Sequence, residues 1–182
     1  MLCILILLWT TKPQSQEMAV PIKLQSALFS KILSFDRSLK TRADGEIIVG
    51  IVYQRRFRRS LNTKNKFIDV MSSAKRHGDF KFGCVPIDIG DHTDLADAIS
   101  KRDIDILYIT PLRVVEIETI TAVSRAKQIL TLTGVPEYVK SGLAVGIGIK
   151  GERPQIMINL PGAKAEGANF HSQLLKLAEI VK

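Results

Sequence analysis

The sequence predicts a single-domain α/β sandwich: a mostly parallel sheet, an antiparallel C-terminal hairpin, and helices on both faces. Three observations predict it. Short, nearly unbroken apolar runs rich in Val and Ile recur along the chain, as in "EIIVGIVYQ" (46–54) and "IDILYIT" (104–110). A strand covered on both faces reads this way. Segments with helical apolar spacing stand between those runs, which is the alternation of an α/β domain. Near the end, the apolar runs "LAVGIGI" and "PQIMINL" are joined by "KGER" (150–153), a hairpin signal.

Each element follows from its own stretch. "PIKLQSALFSKILSFDRSL" (21–39) reads as one helix, with Leu24, Ala27, Leu28 and Ile32 on its packed face. In it, Asp36 and Arg37 read as a local pair, or Arg37 as a partner of the last carbonyls. "KTRADG" is a turn, and Glu46–Gln54 is the first strand. The basic stretch "RRFRRSLNTKNK" (55–66) leads to a helix over "NKFIDVMSSAKRHG" (65–78), carried by Phe67, Ile68, Met71 and Ala74 and ended by Gly78. "FKFGCVPIDI" (80–89) is the second strand, and its inner Gly83 and Pro86 place it at an edge or end it early.

"DHTDLADAISKRD" (91–103) is a helix with Thr93 or Asp91 as N-cap. The third strand is Ile104–Thr110. "PLRVVEIETITAVSRA" (111–126) is a helix with Pro111 in its first turn. "KQILTLTG" is the fourth strand, and "VPEYVKSG" is a short helix or turn. After the hairpin, "FHSQLLKLAEIVK" (170–182) reads as a last helix. Asn169 is its cap, and Phe170, Leu174, Leu177, Ala178 and Val181 form its apolar face.

With 182 residues, 46% hydrophobic and 24% charged, the chain has the composition of one ordinary globular domain. "MLCILILLW" (1–9) is too short to span a bilayer, but it has the length of a signal-peptide apolar core. No Lys or Arg precedes it, and no clean A-x-A site follows. Residues 1–17 are read as a signal peptide and residues 18–182 as the domain; the alternative is a buried N-terminal strand. Of the two cysteines, Cys3 lies in that leader, and Cys84 is read as a small buried apolar residue.

No motif argues for catalysis, a metal or a cofactor. In "VGIGIKG" (145–151) the glycines sit inside a strand that another strand follows, where a phosphate loop needs a helix. Gly146 and Gly148 share a face and would let a helix pack closely. Asp88, Asp91, His92, Asp94 and Asp97 do not follow the spacing of a calcium loop, and read as an acidic helix start. His77, His92 and His171 are not at metal-ligand spacing, and neither HExxH nor GxSxG occurs.

The formal charge of +8 suits an anionic partner. The densest basic cluster is "RRFRR", and Arg55, Arg56, Arg58 and Arg59 are the candidate partner-binding residues. The plain alternative is a solvated loop and helix start. Cations at a helix N-terminus oppose its dipole, which favours a use for them.

The C-terminal third resembles the YfiR family (YfiR/HmsC-like periplasmic regulatory proteins). The resemblance rests on "DIDILYIT", on "KQILTLTGVPEYVKSGLAVGIGIKGERPQIMINL", and on the tail "AKAEGANFHSQLLKLAEIV". In that family a strand ending in Asn leads through a Gly-containing link to a Ser-x-Leu-Leu-x-Leu-Ala helix. The matching positions here are Asn159, Gly167, Ser172, Leu174, Leu175, Leu177 and Ala178. "KLQSALFSKILSFDRSL" sits where the family has its first helix.

The resemblance implies an exported, non-enzymatic regulator that binds the periplasmic sensor domain of a membrane protein. That partner is a diguanylate cyclase, whose repression controls cyclic di-GMP and biofilm formation, or a histidine kinase. The family is also similar to one lobe of periplasmic solute-binding proteins, so the alternative is a small-ligand module feeding a sensor or transporter. A homodimer through an apolar helix face is a further option. A basic nucleic-acid-binding protein ranks behind these, and an enzyme last. Disulfide control is not implied, since the domain keeps only Cys84.

Overall fold

The computed structural model describes residues 18–42, 45–73, 80–90 and 94–181. The expected signal peptide, the helix end at Gly78 and the caps Thr93 and Asp91 lie outside the described residues. One seven-stranded sheet runs through the domain in the order β2-β1-β3-β4-β5-β6-β7. In chain order the strands are β1 (Glu46–Tyr53), β2 (Lys81–Asp88), β3 (Ile106–Ile109), β4 (Leu130–Thr133), β5 (Val145–Lys150), β6 (Arg153–Asn159) and β7 (Glu179–Val181). β2, β1, β3, β4 and β5 are parallel, β6 is antiparallel to β5, and β7 is parallel to β6. The expected α/β class, the mostly parallel sheet and the hairpin are all present.

The unbroken apolar runs are strands buried on both faces. Along β3, Ile106 and Tyr108 join one core while Leu107 and Ile109 join the other. The first core packs the sheet against α1 (Ile22–Ser34) and α3 (Arg58–Ser73), through Phe29, Leu33, Phe67 and Met71. The second packs it against α4 (Leu95–Ser100), α5 (Ile117–Lys127) and α6 (Pro136–Lys140), through Ile99, Ile117, Ile120 and Tyr138. Alternation at period two thus sorts one run of residues between two helix layers.

β2 lies at the sheet edge, as its Gly and Pro imply. The N–H of Ile89 donates to Tyr53 O, so the residues at alternate positions from it face β1 and Pro86 faces outward, where its missing N–H costs no ladder bond. On β2, burial pushes the Cys84 thiol up to about 11, so it stays protonated and inert at neutral pH.

The first helix differs from expectation in two ways. It breaks at Phe35–Asp36, and α2 (Arg37–Arg42) follows. The cause is long-range. Asp36 is fully buried, and its Oδ1 accepts from the N–H groups of Ser38 and Asn169, at 3.0 and 2.9 Å. The Arg37 N–H donates to Asn169 O, and the His171 N–H donates to Phe35 O. Asp36 is therefore a tie to the C-terminal segment, not half of a local pair with Arg37.

The packed face of α1 is also rotated. Leu24 is 41% exposed and Ala27 is exposed, whereas Gln25, Ser26, Phe29 and Leu33 are buried. Polar Gln25 tolerates burial because its amide donates to Val20 O and accepts from the Tyr108 hydroxyl.

Other boundaries shift for local reasons. α3 begins at Arg58, seven residues before the expected Asn65. α4 is capped by Asp94, whose Oδ1 accepts from Ala96 and Asp97 N–H groups at 2.8 and 3.2 Å. α5 begins at Ile117, not at Pro111, because residues 110–116 form a loop held by Tyr138 and Gln54.

The tail is three elements where one helix was expected. α7 (Leu160–Ala165) follows β6, α8 (Ser172–Leu177) is short, and the chain then extends into β7. α8 is capped by the His171 ring, whose Nδ1 accepts from the Gln173 N–H; Asn169 serves Asp36 instead. Val181 is accordingly a strand residue, and Leu177 is 69% exposed.

Candidate functional site

The four arginines fall in and just after the turn from β1 to α3, in three different settings. Arg55 is pinned to β2: its N–H donates to Asp88 Oδ1 at 3.1 Å, and its Nε stands 3.1 Å from Asp88 Oδ2. Asp88 also accepts from the Gly90 N–H, so it ties two strand ends together. Among the described residues, no three His, Cys, Asp or Glu side chains are placed to hold a metal ion. Arg56 is exposed in the turn. Arg58 and Arg59 open α3 and line a groove.

That groove has a volume of about 840 Å³ and runs between the segment leading into α1 and one face of α3. Its apolar lining includes Val20, Pro21, Ile22 and Val70. Among the described residues its charged lining is Lys23, Arg58, Arg59 and Lys66 against the single acid Asp69. Arg59, Asn62, Thr63, Lys66, Asp69 and Val70 repeat at three- and four-residue spacing, so they share one side of the helix. The sequence reading puts Lys66 in the basic run 55–66, but starting the helix at Asn65 keeps Asn62 and Lys66 from being read with Arg59 as one stripe. With the helix begun at Arg58, the spacing itself reveals the stripe.

The groove lies beside, not in, the crevice that an open α/β sheet offers to ligands. That crevice stands outside the carboxyl ends of β1 and β3, where the strand order reverses. Here the chain fills it. The Gln54 N–H donates to Ser60 Oγ at 2.9 Å, the Ser60 and Thr110 hydroxyls are 2.6 Å apart, and Thr110 donates to Val52 O at 2.9 Å. With the Thr110 proton spent on Val52, the Ser60 hydroxyl supplies the proton between the two. The Gln54 side chain then clamps the Arg113 backbone through both N–H and C=O, and the Arg113 guanidinium lies 4.4 Å from the Phe57 ring centre.

The sequence-derived tail motif is structural and lines no part of the groove. Asn159 ends β6 and caps α7, its Oδ1 accepting from the Gly162 N–H at 2.9 Å. Gly167 turns the chain out of α7 at φ +82°, a conformation that favours glycine. Ser172 opens α8, Leu174 is buried, Leu175 and Ala178 are half-buried, and Leu177 faces solvent. Gly146 lies under α6: a Cβ there would collide with Val139 Cγ2.

One ionisable group has no precedent in the sequence reading. Glu166 is fully buried between α5, β4 and the end of α7. Burial pushes its carboxyl up to about 7, against the opposing pull of hydrogen bonds from Ser124 and Thr131 and the charge of Arg125. In "AKAEGA" nothing marks it, because its donors come from residues 124 and 131.

In class, then, the chain is an α/β domain with its switch-point crevice closed and a basic groove alongside. The fold is shared with a conserved domain protein from Vibrio cholerae O1 biovar El Tor (TM-score 0.60, 12% identity, 89% of this chain and 60% of that one). It is shared with the ABC domain in complex with L-Trp from Streptococcus pneumonia (TM-score 0.60, 12% identity, 89% and 62%). A ligand-free, open substrate-binding protein with adhesive properties from Clostridium difficile is similar too (TM-score 0.54, 19% identity, 84% and 59%). This chain thus spans about six-tenths of the length of those structures.

The chain belongs to the YfiR/HmsC-like family, whose profile matches residues 23–179. Membership supports a periplasmic regulatory role in general. No curated protein matches the chain at a significant level. No helix among the described residues is long and apolar enough to cross a membrane.

Proposed function

We propose that this protein is an exported, non-enzymatic regulator that binds the periplasmic sensor domain of a membrane signalling protein and represses it. A diguanylate cyclase is the first choice of partner, which makes cyclic di-GMP and biofilm formation the outputs; a histidine kinase is the second. The observation that carries this reading, beside family membership, is the basic wall of the groove, where Arg58, Arg59 and Lys66 stand in one row along α3. Such a surface steers an acidic partner and sets its orientation.

Two experiments test it. Expression of the full chain with its own leader, followed by fractionation and intact mass, is expected to give a shortened periplasmic product. Pull-down of a purified cyclase or kinase sensor domain is expected to weaken when Arg55, Arg56, Arg58 and Arg59 are reversed to Glu in a folded variant. An uncut cytosolic product together with unchanged affinity overturns the proposal.

A second reading is favoured by the groove volume alone, which lies within the range of small-ligand sites. On that reading the domain binds a small anion and passes the signal to a sensor or transporter. Saturable binding of a small carboxylate or phosphate compound, without any sensor domain, would support it.

A further inference from the structure

We infer that the groove between the α1 entry segment and α3 accepts a single extended acidic segment, about five or six residues long. The inference rests on the partner-docking reading and names what the partner inserts.

The dimensions select the occupant. The lining residues of α3 run from Arg58 to Val70. At the helical rise of 1.5 Å per residue this trough is about 18 Å long. A volume of about 840 Å³ over that length leaves a section of about 47 Å². An extended chain occupies about 4.8 Å by about 10 Å, the strand and sheet spacings of close-packed β-structure, which is nearly the same section. At about 3.3 Å per residue an extended chain fills the trough with five or six residues.

The lining selects the chemistry. Val20 and Ile22 are buried and Val70 is half-buried, so the trough has an apolar base. Lys23 stands on one side, and Arg58, Arg59 and Lys66 on the other. Asp69 is the only acid among the described lining residues, which together carry a clear positive excess. Successive side chains of an extended segment point to opposite sides, and cations stand on both walls, so acids on either side meet them while the backbone lies over the apolar base. Another copy of this chain meets the groove less well, since the protein carries +8 overall.

The test is selection from a random hexapeptide display library on the immobilised full chain, followed by titration of the synthesised consensus peptide. Peptides rich in acids are expected. Lys66→Glu should weaken the consensus peptide at least tenfold. Asn62→Trp, which fills the exposed groove lining without changing charge, should do the same; Arg102→Glu, outside the groove, should leave affinity unchanged. Thermal melts check that each variant is folded. Recovery of no acidic consensus, or equal losses with Arg102→Glu, overturns the inference. So does competition by phosphate or citrate as strong as by peptide, which marks a small-anion site, and so does tighter binding to anionic lipid vesicles than to peptide. A sensor domain that binds normally to Asn62→Trp removes the groove occupant while leaving the regulatory reading standing.

Discussion

Glu166 takes hydrogen bonds from both the backbone N–H and the hydroxyl of Thr131, each at 2.7 to 2.9 Å from its Oε2, with no ion pair holding the carboxylate. Ser124 completes the site, with its Oγ 2.7 Å from Glu166 Oε1 and 3.1 Å from Thr121 O. The hydroxyl has one proton to give. When Glu166 is ionised, Ser124 donates to it; when Glu166 is protonated, the carboxyl donates to Ser124, which turns to Thr121 O. Both forms are satisfied, so the carboxyl titrates without breaking the fold.

The folded carboxyl, at about 7, lies above its unfolded value of 4.5, so the folded state holds a proton that the unfolded chain has released. Stability is therefore greatest near and below pH 4.5 for this group, and falls as pH rises to about 7. The loss is on the order of 3 kcal/mol across that window. Urea midpoints measured from pH 4.5 to 8 should decline, and Glu166→Gln, the neutral isostere, should flatten the curve. A wild-type profile as flat as the variant's would show that the carboxyl is not raised.

Leu174 and Leu177 share a short helix but not an environment. Leu174 is 1% exposed, and truncation to Ala should cost roughly 2–5 kcal/mol. Leu177→Ala should change stability by less than about 0.5 kcal/mol. Chemical denaturation of the two single variants checks the contrast.

Gly146 is needed for contact, not for turning. A methyl group there would meet Val139 of α6, so Gly146→Ala should destabilise by about 1–3 kcal/mol. Val139→Ala in the same chain should recover part of that loss. A non-additive double-mutant cycle by denaturation would show the pair to be in contact.

Asp36→Ala removes the acceptor for two backbone N–H groups, on Ser38 and Asn169. Both bonds are part-buried, so leaving the donors unpaired costs at most about 1–3 kcal/mol each. Hydrogen exchange should show faster exchange at both amides, and the effect at residue 169 is the informative one. Protection retained there would mean that the tie is carried by the neighbouring backbone bonds alone.

The sheet was legible because its strands are apolar on both faces, a pattern that survives without knowing any neighbour. The hairpin was legible because "KGER" interrupts two such runs. Helix starts were less so. Residues 58–64 hold one apolar side chain, Leu61, and carry no apolar stripe, so the start of α3 is set by packing on β1 and by Ser60 bonding to Gln54 and Thr110. The tail misled for a different reason. Leu177, Ala178 and Val181 fit a helical period, yet pairing with β6 claims the last residues as a strand. Of the groove, the arginines were visible as a run, while Lys66 and Lys23 belong to it only through the packing of α1 on α3. Glu166 and Asp36 are buried by partners 35 to 133 residues away, and no local pattern announces such a pairing.

The tie between Asp36 and Asn169 also governs when the domain can close. The joint between the first two helices is completed only by a residue near the far end of the chain. Until that residue arrives, the buried carboxylate has only the Ser38 N–H to accept from, and β6 lacks its last neighbour. Closing so wide a loop comes late and slowly. The joint between the first two helices is therefore among the last parts of the domain to lock.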